Sequence, residues 1–230
     1  MIKTYVCNLD RCADRKRYVL DTYPKVLDIE IITAYDGYNE HNSPELEKLA
    51  AKFKKSYENN RDNQSIKKHF MLNPLSPGEF GCLVSFLSIL ERIIHGDEPY
   101  AIYTDDDIKF EGNFSESLTK MIQNFLPENF KIIYLTVGTE RNHFNAKNIR
   151  INEMVSERDI STMHVDSMLL ISKKGAIILY DLLFTKYKGC LGRDYAINEL
   201  CKEYNHKTHI IYPTIAYCDN PFGTTIQISN

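Results

Sequence analysis

Apolar residues in this chain gather in short runs separated by stretches of helix length. Lys3-Thr4-Tyr5-Val6-Cys7-Asn8-Leu9 predicts an opening strand and Ile29-Glu30-Ile31-Ile32-Thr33-Ala34 a second. Between them, Arg11 to Tyr23 predicts a helix ended by Pro24. Further strands are predicted at Tyr100 to Thr104, Lys131 to Val137, Val165 to Ser172 and His209 to Tyr217. Strands that alternate with helix-length segments predict an α/β fold with a mostly parallel central sheet flanked by helices.

Two segments carry sharper signals. Ser76-Pro77-Gly78-Glu79 places a capping serine before a proline at the first helical position and a glutamate at the third. Phe80, Leu83, Val84, Leu87 and Ile94 then mark a core-facing stripe that stops at Gly96. From Pro44 to Phe70, Leu46, Leu49, Ala50, Phe53 and Tyr57 fall at helical spacing among Lys and Glu, and the chain turns polar after Tyr57. This predicts a helical and polar insertion around residues 44–70 within a single domain of residues 1–230. A solvated outer face is the simpler reading of its charges, with a membrane-surface or partner-binding helix as the alternative.

Composition narrows the class. The 230 residues are 43% hydrophobic and 26% charged, as in an ordinary globular protein, and a net charge of −3 gives no support for nucleic-acid binding. The six cysteines (Cys7, Cys12, Cys82, Cys190, Cys201 and Cys218) show no zinc-ligand spacing. No leader and no run of membrane-spanning length is evident, so a reducing, cytoplasmic setting is expected, with peripheral membrane contact left open.

The strongest chemical signal is Asp105-Asp106-Asp107, delivered by the run Tyr100 to Thr104. Like charges repel, so such a cluster needs a cation or open water to absorb it. Alternation along an extended chain predicts Asp105 and Asp107 on one side, able to share a divalent cation, and Asp106 on the other. A solvated acidic turn is the plain alternative. Near the first strand, Asn8, Asp10, Arg11 and Arg15 leave a strand end, where ligands gather in open α/β sheets. Arg11 and Arg15, four apart, read as a phosphate clamp on one helix face or as surface charge. Asp36-Gly37 reads as a nucleoside contact or a turn. Glu79 reads more as a capping residue than a catalyst, and Ser85 stays open. His164, His206 and His209 each offer an imidazole to a metal, and the fifteen tyrosines offer sugar-stacking faces.

Several segments, in order, resemble glycosyltransferase family 25, the lipooligosaccharide and procollagen galactosyltransferase group. Val6-Cys7-Asn8-Leu9-Asp10-Arg11 with Arg15 is similar to the family's "INLDR…R" signature, and Ala34-Tyr35-Asp36-Gly37 to its "A-x-D-G" element. Gly78-Glu79-Phe80-Gly81-Cys82-Leu83-Val84-Ser85 resembles "GEIGCxxSH", and Asp105-Asp106-Asp107-Ile108 stands where the family has "EDDV". Ile171-Ser172-Lys173-Lys174-Gly175-Ala176 resembles "ISKKGA", and Arg193-Asp194 falls near the family's "VD". The chain departs from the pattern at Phe86, where histidine is usual, and at Gly223-Thr224-Thr225, where Ser-Asp is common; Asp219 is the nearest carboxylate.

The resemblance implies a GT-A-like fold with a Rossmann-like nucleotide-binding half, Mn2+ or Mg2+, a UDP-sugar donor and a glycan acceptor. By the alternation above, Asp107 is assigned to metal contact and Asp105 to metal or ribose, with Asp106 orienting a neighbour. Asn8, Asp10, Arg11, Arg15, Asp36, Gly37, Ser85, Asp105 and Asp106 would bind the donor. An inverting transfer also needs a base, for which Asp194, ahead of a helix predicted from Tyr195 to Glu203, is first choice and Asp166 and Glu199 lesser ones. Asp194 equally reads as a helix cap. The expected activity is transfer of galactose or glucose to a hydroxyl, with a catalytically inactive sugar-nucleotide-binding or partner-binding homologue, or a metal-dependent phosphoesterase, as alternatives.

Overall fold

A computed structural model describes residues 1–39, 42–60, 75–137, 149–157, 167–186, 193, 197 and 208–218, of which 56–60 and 137 are described by backbone alone. The elements, in chain order, begin with β1 (Ile2–Asn8), α1 (Ala13–Thr22), β2 (Leu27–Thr33), α2 (Pro44–Asn60), α3 (Pro77–His95), β3 (Tyr100–Asp105), β4 (Ile108–Phe110) and α4 (Phe114–Lys120). A short π-helical turn, Met121–Phe125, then leads into β5 (Ile132–Tyr134) and β6 (Thr136–Val137). After these come β7 (Ile149–Arg150), β8 (Val155–Glu157), β9 (Met168–Ser172), α5 (Lys173–Asp181), a second π-helical turn (Leu182–Lys186), β10 (His209–Ile211) and β11 (Ala216–Cys218).

Eight of these strands form one sheet in the order β2-β1-β3-β9-β5-β10-β8-β7. The α/β class holds, and the pairing is mixed. β1 runs parallel to both β2 and β3, and β5 parallel to β10, whereas β9 lies antiparallel between β3 and β5. A smaller sheet, β4-β11-β6, packs beside it.

Strand alternation sorts the core onto two faces. Tyr5, Ala101, Tyr103, Ile132, Tyr134, Leu169 and Ile171 belong to one apolar cluster, with residues of α2, α3 and α5. Val6, Ile102, Ile133, Met168 and Leu170, the intervening positions, belong to the other, with residues of α1, α4 and the small sheet. Burial on both faces is why these strands read as continuous apolar runs.

Two predicted strands divide. Lys131 to Val137 breaks at Leu135, whose N–H goes to the Met168 carbonyl at 3.0 Å, so Thr136–Val137 joins the small sheet. His209 to Tyr217 breaks because Pro213 has no N–H for a ladder; β10 ends at Ile211 and β11 begins at Ala216. The stripe of α2 is no free face. Leu46, Leu49, Ala50 and Phe53 are buried in the first cluster, and Phe53 meets Phe184 edge-on with ring centroids 4.8 Å apart. The remainder of the predicted insertion, residues 61–70, lies outside the described residues. Among the described residues no helix is long and apolar enough to cross a membrane.

The start of α3 is built as its sequence predicts. Ser76 Oγ accepts from the Glu79 N–H at 3.2 Å, and Glu79 Oε2 accepts from the Ser76 N–H at 2.7 Å. Glu79 is therefore a capping residue. The loop after β2 crosses this helix at contact distance. A Cβ on Gly37 would fall 1.8 Å from the Pro77 carbonyl oxygen, and one on Gly81 2.6 Å from that of Tyr35. Only hydrogen fits at either position. Gly81→Ala is expected to lower stability by about 2 kcal/mol through overpacking, read from the urea midpoint, because neither backbone can retreat.

Candidate active site

The C-terminal ends of β1, β2 and β3 are in register, with Asn8 opposite Thr33 and Cys7 opposite Asp105. Parallel strands that end together leave a crevice beyond their carboxyl ends, where open α/β sheets bind ligands. The acidic triplet lies there. β3 ends at Asp105, so strict alternation stops before Asp106.

This overturns the expected partition of the three side chains. Asp106 does not face away from Asp107; one guanidinium nitrogen of Arg15, Nη1, lies 2.9 Å from Asp106 Oδ1 and 3.2 Å from Asp107 Oδ2. Asn8 Nδ2 donates to the other Asp106 oxygen at 2.7 Å and, at 3.3 Å, to the Cys12 carbonyl. Both oxygens of Asp106 are thus engaged by protein donors. Asp107 has Cys218 Sγ at 3.8 Å from Oδ1. Asp105 belongs to a different group: Tyr103 donates to its Oδ1 at 2.5 Å, and Arg193 Nη1 lies 3.4 Å from the same atom.

The turn backbone is held by α1 as well. The Tyr23 hydroxyl donates to the Asp105 carbonyl at 2.6 Å and accepts from the Ile108 N–H at 3.4 Å, bridging both ends of the turn. The Tyr18 hydroxyl donates to the Ile108 carbonyl at 3.0 Å.

Electrostatics follows from burial. Removal from bulk water raises the Asp105 carboxyl, an effect tempered by the 30% of its side chain that stays exposed; Arg193 opposes that rise, and the Asp107 charge adds to it. Burial also raises Asp107, against the pull of Arg15. Burial works against the Arg15 charge, but Asp106 and Asp107 outweigh it and hold the guanidinium above its ordinary value. Burial raises the Cys7 thiol well above its usual range, with Asp105 the next cause.

The other predicted residues divide between this cluster and its surroundings. Arg11 precedes α1, so it shares no helical face with Arg15 and the two-arginine clamp does not form; its Nε instead pairs with Asp36 Oδ2 at 2.6 Å. Asp36 also accepts from the Tyr38 N–H at 3.1 Å, which makes it a turn residue. Asp10 is exposed and accepts from the Thr33 hydroxyl at 3.1 Å. Ser85, buried, accepts from the Tyr35 N–H at 2.8 Å and donates to the Gly81 carbonyl at 2.7 Å, so its hydroxyl locks the loop carrying Gly37 onto α3 instead of facing a ligand. Phe86 packs edge-on against Tyr103, ring centroids 5.1 Å apart. His209 lies in β10, separated from β3 by β9 and β5, and so stands away from the acidic turn. Asp166, Asp194, Glu199, His164, His206, Asp219, Gly223, Thr224 and Thr225 lie outside the described residues, as does the predicted helix from Tyr195 to Glu203 apart from Ile197.

Sequence reading missed Tyr103, Tyr23, Cys218 and the part played by Arg193. Tyr103, two positions before Asp105 on the same strand, shares its side of the sheet, so alternation pointed to it. Nothing local pointed to the others.

Among the described residues no three His, Cys, Asp or Glu side chains are arranged as a metal site. The chemistry of Asp105 and Asp107 nonetheless fits a hard cation. Both are carboxylates whose charged forms burial disfavours, and a divalent ion would relieve that cost. Asp106, with both oxygens engaged, fits as the residue that sets the turn. Arg15→Met is expected to cost about 3 kcal/mol in a urea titration, because it leaves two buried carboxylates without their cation. Asp10→Asn, on the surface, is expected to cost under about 0.5 kcal/mol in the same measurement.

Comparison with known proteins follows the same outline. Residues 1–211 match the family model described as glycosyltransferase family 25 (LPS biosynthesis protein). Human procollagen galactosyltransferase 2 is 30% identical over 121 residues, which cover 52% of this chain and 18% of that protein. A rat protein named "Probable inactive glycosyltransferase 25 family member 3" is 24% identical over 136 residues, covering 58% of this chain and 22% of its own length. The chain thus spans about a fifth of the length of the curated relatives it matches. Among solved structures, mouse xyloside xylosyltransferase 1 in its apo form is similar at a TM-score of 0.43 and 13% identity, over 99% of this chain and 86% of that one. On the match across residues 1–211, this chain belongs to glycosyltransferase family 25.

Proposed function

We propose that the protein is a metal-dependent, inverting glycosyltransferase that moves a hexose from a UDP-sugar to a hydroxyl of a glycan or other acceptor. The observation that supports this reading is the acidic turn that follows the joint C-terminal ends of β1 and β3, in which Asn8 and Arg15 hold Asp106 within the fold. The name of the human relative favours galactose over glucose.

Asp105 and Asp107 would hold Mn2+ or Mg2+, which when bound neutralises the departing diphosphate. The remaining work falls to the chain. In the transfer, the acceptor oxygen bonds to the anomeric carbon as the bond from that carbon to the diphosphate oxygen breaks. The bonding pair leaves on the diphosphate, and the acceptor's proton passes to a carboxylate base, a role we assign to Asp194. Asn8 and Arg15 act on Asp106 and so keep the turn in shape; they are positioning residues. Asp10, Arg11, Asp36 and Gly37 border the same strand ends and are assigned to the nucleoside side of the donor.

One observation favours a second reading, an inactive homologue that binds a sugar nucleotide. Arg193 already lies against Asp105, and a relative of similar identity bears a name that calls it inactive.

The test is incubation with Mn2+ and a panel of UDP-sugars, with and without glycan acceptors. Sugar transfer is expected, and tight UDP-sugar binding without turnover would select the second reading. Asp107→Asn is expected to lower transfer at least about 100-fold with an unchanged circular-dichroism melt, since Arg15 keeps Asp106. Normal turnover by that variant, or by native protein stripped of metal with EDTA, would remove the cation from the mechanism.

A further inference from the structure

Arg193 reaches the acidic turn from a distant part of the chain. Its Nη1 donates to the Tyr103 hydroxyl and lies 3.4 Å from Asp105 Oδ1, the oxygen that accepts from that same hydroxyl. The guanidinium carbon lies 5.2 Å from the centroid of the Tyr103 ring. With 11% of its side chain exposed, Arg193 is a largely desolvated cation facing the most open carboxylate of the triplet, for the side chain of Asp105 is 30% exposed against 8% and 12% for Asp106 and Asp107. Arg15 serves the other two carboxylates. Arginine keeps its charge at any working pH, so Asp105 has a permanent counter-charge within the protein.

That arrangement has a consequence for any second cation. A divalent ion on Asp105 and Asp107 would lie close to the guanidinium and repel it, while the diphosphate that accompanies the ion would attract it. The planar fork of arginine suits a pair of diphosphate oxygens.

We propose that Arg193 is a binding residue for the donor diphosphate, held on Asp105 until nucleotide and cation arrive together. This rests on the reading of Asp105 and Asp107 as cation ligands. Arg193 then weakens the cation's hold on the empty site and strengthens that of the cation with nucleotide, so the two ligands bind cooperatively. A strut that merely ties its own segment to β3 would affect stability alone.

Calorimetric titration of the full chain separates these roles, first with MnCl2 alone and then with UDP in saturating Mn2+. Arg193→Met is expected to bind Mn2+ alone roughly tenfold more tightly and UDP roughly tenfold more weakly, the effect of deleting one close charge. Arg193→Lys should hold Mn2+ as the native protein does and still lose UDP affinity, because the ammonium lacks the fork. Tyr103→Phe keeps every charge but frees the anchor, so its Mn2+ affinity should rise roughly threefold, the worth of one hydrogen bond. Native-like affinities in Arg193→Met would overturn the proposal and leave the cation reading standing. Should that variant not fold, an unchanged Mn2+ affinity in Tyr103→Phe decides against it. Failure of the native protein to bind Mn2+, with or without UDP, would overturn both.

Discussion

One nitrogen of Arg15, placed between two buried carboxylates, is the contact on which the acidic turn depends. Three adjacent aspartates at a strand end repel one another, and burial raises the cost of each charge. The turn is stable because β1 and α1 converge on it: Asn8 and Arg15 satisfy Asp106, Arg15 reaches on to Asp107, and Tyr18 of the same helix and Tyr23 just beyond its end hold the backbone. Helix α1 is therefore more than a connection between parallel strands. It cradles the acidic turn, and the sequence conceals that role, because Arg15 faces inward among carboxylates instead of outward to water.

The result is a division of labour among three identical residues. Asp106 is closed off by protein donors and fixes the turn. Asp107 is shared between Arg15 and the thiol of Cys218, and Asp105 stands apart with Tyr103 and Arg193. Chemical identity is uniform along the triplet, so the differences come wholly from what each carboxylate meets. The mixed sheet contributes here. Antiparallel β9 lies beside β3, and the Asp105 N–H donates to the Ser167 carbonyl at 2.8 Å, so the strand that delivers the aspartates is held on both sides to its last residue.

Much of the resemblance to family 25 rests on residues whose contacts within the fold shape the protein. Gly37 and Gly81 let a loop and a helix cross at backbone contact, and Ser85 bonds across that crossing. Ser76 and Glu79 cap the helix that carries them, and Ser172 caps the helix after β9 by accepting from the Gly175 N–H. Close approach and capping demand particular residue types as strictly as catalysis does. A motif is therefore a statement about constraint, and only geometry says of which kind.

What the sequence determined by itself was the local part: strands β1, β2 and β3, the cap and stripe of α3, and the presence of an acidic turn at a strand end. These follow from periodicity, propensity and side-chain chemistry within a few neighbouring residues. Tertiary structure decided the rest, because the deciding contacts join segments far apart in the chain. Arg15 meets Asp106 across 91 positions, and Cys218 meets Asp107 across 111. Arg11 parts from Arg15 only because α1 begins at Ala13, and the strand toward Tyr217 splits where Pro213 has no hydrogen to give. Spacing along a chain lists which charges are present, but folding selects which of them face one another, and that selection sets what each aspartate does.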